Sequence, residues 1–277
     1  MFLLAAGITV YPILSSRYNE HHQSEIHVQH QQMLEKTERK DLLAMRQQAE
    51  LYNETIQPGA RTEEAFSREA ILSAAKEYRK LLDPTGDGIM GYVEIPRLDV
   101  TLPIYHGTED RTLELGIGHL LGSSLPVGGP GTHTILTAHS GMASQKMFSD
   151  LPQLQKGNLF YLDVLGERLA YQVDQIKTEL PYDTAYLGIE EGKDLCTLVT
   201  CTPFGINTHR LLVRGHRIPY EKAEVLQDRQ PEPRAPVSNW EQEYYKSLAW
   251  SFGGATLLLM GAEAVSGIRK ARKRHAA

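Results

Sequence analysis

Between residues 91 and 220 the apolar positions fall in short runs of β type, separated by Gly, Pro and Asp. The runs are 92–95, 100–105, 132–138, 159–164, 168–176, 195–201 and 210–218. Seven short strands with few long helices between them predict a mixed or antiparallel β-barrel or sandwich. The preceding stretch has another texture. Residues 17–57 are polar and contain neither Gly nor Pro, with sparse apolar positions at Leu34, Leu42, Leu43, Met45 and Leu51. This predicts a long, mostly solvated helix that holds the β region away from a surface. Pro58 to Thr62 breaks it. Residues 63–82 then place Ala65, Phe66, Ala70, Ile71, Ala74, Ala75, Tyr78, Leu81 and Leu82 near helical spacing.

The ends read as membrane. The first fourteen residues carry no charge, which is short of the roughly 20 that span a bilayer. They fit a signal-peptide core, a buried helix, or a spanning helix that begins upstream. At the other end, residues 247–268 hold one charge, Glu263, in 22 positions. At 1.5 Å per residue that is about 33 Å of helix, enough for a hydrocarbon core of about 30 Å. Arg269, Lys270, Arg272, Lys273 and Arg274 follow, and Glu241 and Glu243 precede. The positive-inside rule puts such a tail in the cytoplasm and the residues before 247 outside. An amphipathic C-terminal helix on a soluble protein is the competing reading, and the basic cluster argues against it. The expected organisation is therefore an N-terminal hydrophobic segment at 1–16, a helical stalk and lid region at 17–90, a β-domain at 91–220, a polar linker at 221–246, a transmembrane helix at 247–268 and a basic tail at 269–277.

Composition narrows the function. The chain has 277 residues, 29 basic against 34 acidic, for a net charge of −5. No overall basic field exists to hold nucleic acid. Two Cys exclude a disulfide scaffold and an all-Cys zinc site. His21, His22, His27 and His30 invite a metal reading, but surface His on a helix is the plainer one. Asp83, Asp87, Gly88 and Glu94 fall at positions 1, 5, 6 and 12 of a calcium-loop spacing. Thr85 at position 3 and a strand-like exit favour a simple turn. No cofactor and no metal are expected.

The chemistry gathers at Cys201. Alternation puts Thr197, Val199 and Cys201 on one strand face and Leu198 and Thr200 on the other. Cys201 ends its strand beside the loop from Thr202 to Gly205, where a thiol is accessible and can act as a nucleophile. A strand–loop–strand return brings Arg210 beside it, a cation that can steady an oxyanion. A base or acid must come from His106, His119, His133, His139, His209 or His216. His139 leaves a strand into a loop, where functional groups concentrate. A buried, inert thiol is the competing reading of Cys201.

The segment 197–201, Thr-Leu-Val-Thr-Cys, resembles the signature of sortases, the cysteine transpeptidases of Gram-positive surfaces. The resemblance continues through 91–96, 102–107, 118–119, 123–126, 137–141 and 201–210, and covers roughly 50–220. Together with the C-terminal hydrophobic span, it is closest to class C, the pilin polymerases. It implies an eight-stranded β-barrel with flanking helices. It implies Cys201 as nucleophile, His139 as general acid/base, Arg210 as substrate and oxyanion stabiliser, and Cys196 as a structural residue. It implies cleavage of an LPXTG-like sorting signal between Thr and Gly through a thioester, and transfer to a pilin lysine. The implied setting is the cell membrane, with the catalytic domain outside.

Class C members often carry a lid with an Asp-Pro-aromatic anchor. That triplet is absent between Asn53 and Gly91, where Glu64 and Phe66 keep an acid and an aromatic two residues apart. The expectation is that Glu64 pairs with Arg210 and Phe66 covers Cys201, against a reading of 63–82 as one amphipathic helix with Phe66 in the core. Three other functions compete: a sortase that anchors proteins to peptidoglycan, a membrane-tethered domain that only binds, and a papain-like protease. The last has its Cys before its His, the reverse of the order here.

Overall fold

A computed structural model describes residues 2–56, 76–142 and 144–229, and beyond them 242, 244–246, 248–250 and 254. The chain groups into two compact units, Met1–Thr9 with Val237–Ala277, and Val10–Pro236. The second holds the β-domain. Its strands are β1 Ile89–Ile95, β2 Val100–His106, β3 Ile117–His119, β4 Thr132–Thr137, β5 Leu159–Val164, β6 Glu167–Glu179, β7 Asp194–Thr202 and β8 His209–Ile218. They close into a barrel in the order β1-β2-β3-β4-β7-β8-β6-β5. Strand β3 is the eighth, too short at three residues to register as an alternating run. Two pairs are parallel, β2 with β3 and β4 with β7, and the other strand pairs are antiparallel.

Alternation sorts the side chains. Leu136, Leu198, Leu211, Val213, Phe160 and Tyr171 belong to the main core with the inward residues of β1 and β2. Phe160 and Tyr171 stack at 5.5 Å, and this ring pair leaves no room for a side chain at Gly215. A Cβ there would come within 2.6 Å of the Phe160 ring. Outside the barrel, α4 Tyr220–Arg229 covers Leu159, Tyr161 and Ala170 with Ala223 and Leu226. This ten-residue helix occupies the start of the stretch read from sequence as a linker.

The N-terminal helices depart most from expectation. Helix α1 runs Phe2–Lys36 and α2 runs Arg39–Thr55, so the expected single helix breaks at Thr37 and Glu38. Rather than standing the barrel off, α2 and the part of α1 from Asn19 onward lie against it. Ala49, with Leu42, Met45 and Tyr52, packs into the core. The α1 residues that meet the barrel are mostly polar. Asn19, Gln23, His27 and His30 recur at helical spacing, and Leu34 extends the row. His30 is 2% exposed. The rings of His27 and His30 sit 4.3 and 5.4 Å from that of Tyr92. His30 Nδ1 lies 3.2 Å from Thr85 Oγ1 and 3.4 Å from an Asp87 carboxylate oxygen. These two histidines are docking residues, which corrects their reading as surface residues. The calcium-like spacing is a turn: Asp83 accepts the Gly88 N–H, and Asp87 accepts the Ile89 N–H and the Thr85 hydroxyl.

Of the expected helix at 63–82, Lys76, Glu77 and Tyr78 are helical and 79–82 form turns. Glu64 and Phe66 lie outside the described residues, and so does nearly all of 247–268. Among the described residues no helix is long and apolar enough to cross a membrane.

Buried polar groups tie the segments on either side of 57–75 to the barrel. Asn53 reads both sides of one residue, donating to the Leu125 carbonyl at 3.2 Å and accepting its N–H at 2.7 Å. The Tyr78 hydroxyl meets His119 Nδ1 at 2.8 Å and accepts the Gly107 N–H at 3.1 Å. His119 Nε2 lies 2.9 Å from the Ser124 carbonyl. Burial lowers the His119 pKa to about 4, and it lowers those of His106 and His133 as well. The unfolded chain therefore binds protons between pH about 6.5 and 4 that the folded chain refuses, so stability falls as pH falls through that window. His119 alone contributes a loss on the order of 3 kcal/mol across it. Urea unfolding at pH 7.5 and 5 should show lower stability at pH 5. The difference should shrink in His119→Gln, and equal stability at both pH values would contradict this.

Candidate active site

The site is set by strand register. Strands β4 and β7 run parallel, with Ile135 opposite Thr197 and Thr137 opposite Val199. The pairing persists past the end of β4, where the Ala138 N–H donates to the Val199 carbonyl at 3.1 Å. Carried two residues beyond Thr137, the same register sets His139 beside Cys201. Strand β8 lies antiparallel on the other side of β7, with Arg210 opposite Cys201. Continued in this way, the register aligns His139, just past the end of β4, in one row with Cys201 and Arg210 on β7 and β8.

The row shares a face. Leu136, Leu198, Leu211 and Val213 point into the core. Alternation then turns Ile135, Val199 and Leu212 outward, where they form a separate apolar cluster with Leu120 and Leu187. Cys201 follows Val199 by two residues, and Arg210 precedes Leu212 by two, so both belong to the outward face. His139 has the same parity as Ile135. All three are partly exposed, beyond an apolar floor.

Parity also separates the histidines that the sequence left open. His106 and His119 point inward to Tyr78 and are buried. His133 faces outward but lies lower on the sheet, with Nε2 2.7 Å from the Thr197 hydroxyl and Nδ1 2.8 Å from the Gly188 carbonyl. His216 pairs with Leu195, near the other end of β7, about 20 Å from Cys201 along a strand. His209 is opposite Thr202, on the parity of Leu211, and its Nδ1 meets Thr208 at 2.9 Å. His139 is the one of the six that register places in the row.

The backbone around the row is fixed. The Thr200 hydroxyl donates to the Ala138 carbonyl at 2.8 Å. The His139 carbonyl accepts the Phe148 N–H at 3.0 Å. Gly141 has φ +79, and a Cβ there would stand 3.5 Å from the Gly205 nitrogen and 3.6 Å from the Phe204 ring. The loops after His139 and after Cys201 therefore abut. The Arg210 guanidinium donates to the carbonyls of His209 and Asn207 at 3.1 and 3.3 Å. The segment joining β6 to β7 covers the outward face below the row. It is held by His133 to Gly188 and by Arg214, which binds Asp174 through two nitrogens at 3.0 and 2.9 Å and also reaches Glu190.

The second thiol is different. Cys196 is fully buried, and burial with the nearby Asp194 carboxylate raises its pKa well above the ordinary range. It is a core residue on the opposite face from Cys201. Among the described residues no group of His, Cys, Asp and Glu is placed to hold a metal.

Known proteins resemble this chain in sequence and in fold. Residues 93–218 match the family described as the sortase domain. Sortase C1 from Streptococcus agalactiae is 42% identical, with a TM-score of 0.65, over 70% of this chain and 98% of that one. Sortase C from Streptococcus pneumoniae, in a structure described as giving insight into catalysis and pilin substrate specificity, is 42% identical, with a TM-score of 0.63, over 71% of this chain and 97% of that one. Sortase A of Streptococcus agalactiae serotype III (strain NEM316) is 28% identical over 141 residues, which is 50% of this chain and 54% of that protein. The chain thus spans about half the length of that curated relative.

The two thiols should be separable by alkylation. A small thiol reagent at pH 8 should add once to the folded protein. The adduct should vanish in Cys201→Ala and persist in Cys196→Ala. Two adducts on folded protein, read by intact mass, would contradict the burial of Cys196.

Proposed function

The chain belongs to the sortase family, with class C members as its structural relatives, and on that premise we propose that it is a pilin-polymerising cysteine transpeptidase. What supports the reading is the alignment of Cys201 with Arg210 in the register of β7 and β8, together with the continuation of the β4–β7 register toward His139.

In this reading the Cys201 sulfur attacks the carbonyl of Thr in an LPXTG-like sorting signal. The carbonyl oxygen gains negative charge, and Arg210 steadies it. His139 gives a proton to the departing glycine amine as the C–N bond breaks, leaving a thioester. A lysine amine of the next pilin then attacks the thioester, His139 takes its proton, and the sulfur leaves as the isopeptide bond forms. The thioester conserves the acyl group for an amine. The Leu and Pro of the signal would meet the rim of the apolar cluster that Ile135, Val199 and Leu212 form with Leu187 and Leu120.

The substrate class implies the setting. Pilins with sorting signals are handled at the outer face of a cell membrane, and the apolar stretch at 247–268 followed by a basic tail suits an anchor with a cytoplasmic C-terminus. Glu64 and Phe66 remain the candidate lid residues of this reading.

The test is intact mass of the full chain in detergent after incubation with a sorting-signal peptide. Wild type should gain an acyl adduct, and Cys201→Ala should gain none. His139→Ala and Arg210→Ala should form it at least about 100-fold more slowly. Adding a lysine peptide should discharge the adduct as an amide. Discharge instead by a peptidoglycan stem amine would favour wall anchoring, and no adduct in wild type would favour a domain that only binds.

A further inference from the structure

The loop that leaves β4 with His139 returns to the core at Met147 and Phe148, both buried. Its inner half is tied to the barrel through the His139 carbonyl and through the Gly141 N–H, which donates to the Ser149 hydroxyl at 3.0 Å. Its outer tip is held by side chains from elsewhere. Asn19 Nδ2 donates to the Ser144 carbonyl at 3.0 Å, and Gln23 Nε2 donates to the Gln145 side-chain oxygen at 3.0 Å. The Gln145 amide in turn donates to the Glu114 carbonyl at 3.0 Å, at the end of helix α3 Asp110–Leu115.

Asn19 and Gln23 are four residues apart, one above the other on the face of α1 that meets the barrel. The same face is fixed further along by His30 against Tyr92, Thr85 and Asp87. A helix rises 1.5 Å per residue, so this anchor stands about 16 Å from Asn19 along a stiff rod. Nothing in the barrel's own topology requires polar residues at 19 and 23. A face that needed only to bury area would be apolar.

We propose that α1 is a strut for the His139 loop, with Asn19 and Gln23 as positioning residues for acyl transfer. The proposal rests on the reading of His139 as the acid/base. The two amides act through the backbone of the loop: they hold its tip, and the tip limits the swing of the segment that starts at His139. General acid transfer needs its proton within hydrogen-bond reach of the leaving nitrogen, and a small misplacement slows it. The loop tip is no part of the apolar cluster of Ile135, Val199 and Leu212.

The experiment compares the full chain in detergent with Asn19→Asp/Gln23→Glu, which preserves shape and removes both donors. Ser24→Ala/Gln32→Ala, on the exposed face of α1, is the control. Rates of adduct formation with the sorting-signal peptide are measured from pH 5.5 to 9.5, with hydrogen exchange of residues 140–147. The strut variant should lose about three- to tenfold in the maximal rate. Half-saturation should be unchanged, the pH profile displaced, and exchange in the loop faster, while the control matches wild type. Wild-type rate, profile and exchange in the strut variant would overturn the proposal. His139→Ala separates the two readings. If it forms adduct at the wild-type rate, the acid/base assignment fails, and unchanged exchange in the strut variant is then what overturns the strut.

Discussion

The parallel pairing of β4 with β7 is the constraint from which the site follows. Residues 194–199 stand opposite 132–137, although β5 and β6 intervene in the chain. A slip of one residue would move His139 off the row and turn its strand's apolar set from the core to the outside. Leu136 on one strand and Leu198 on the other hold the inward face, while Ile135 and Val199 hold the outward one. Both faces of this pair are covered, so the register is specified twice. The same burial that stabilises the barrel thereby places a histidine, a thiol and a guanidinium in line at one rim.

The polar groups of the barrel divide accordingly. Several inward or covered ones are satisfied by neighbours: His119 by Tyr78 and Ser124, His133 by Thr197 and Gly188, Asn53 by both sides of Leu125. Their role is to join segments that strand pairing does not reach. Leaving one partner out of such a pair costs the desolvation of the other, on the order of 1–3 kcal/mol. The row at the rim is built differently. Cys201, His139 and Arg210 keep partial exposure, and the main chain at Ala138 and His139 is held by the Val199 carbonyl, the Thr200 hydroxyl and the Phe148 N–H. Among the three side chains, the Arg210 guanidinium is turned back onto the carbonyls of His209 and Asn207.

Much of this was legible in the residues. Strand alternation located seven of eight strands and put Cys196 and Cys201 on opposite faces. It could not choose among six histidines, because that choice needs the pairing of two strands far apart in sequence. Strand β3 escaped because three residues show no period. The docking of helix α1 was missed for a physical reason. The docking face of α1 is made of Asn, Gln and His, so hydrophobic periodicity had nothing to detect. The turn at 83–88 looked like a cation loop because carboxylates at those spacings also cap turns. The residues that carry the lid expectation, Glu64 and Phe66, were legible only as a departure from a family pattern.

The register claim can be tested without reference to catalysis. In a chain carrying His139→Cys, the new thiol should stand beside Cys201 at a separation that a disulfide spans. Mild oxidation should join the two, read as the loss of two hydrogens and a linked peptide pair. Ala138→Cys, on the inward parity, should leave Cys201 free. Linkage of Cys201 to position 139 and not to 138 is the predicted result. Free thiols in the first variant, or equal linkage in both, would contradict the register that assembles the site.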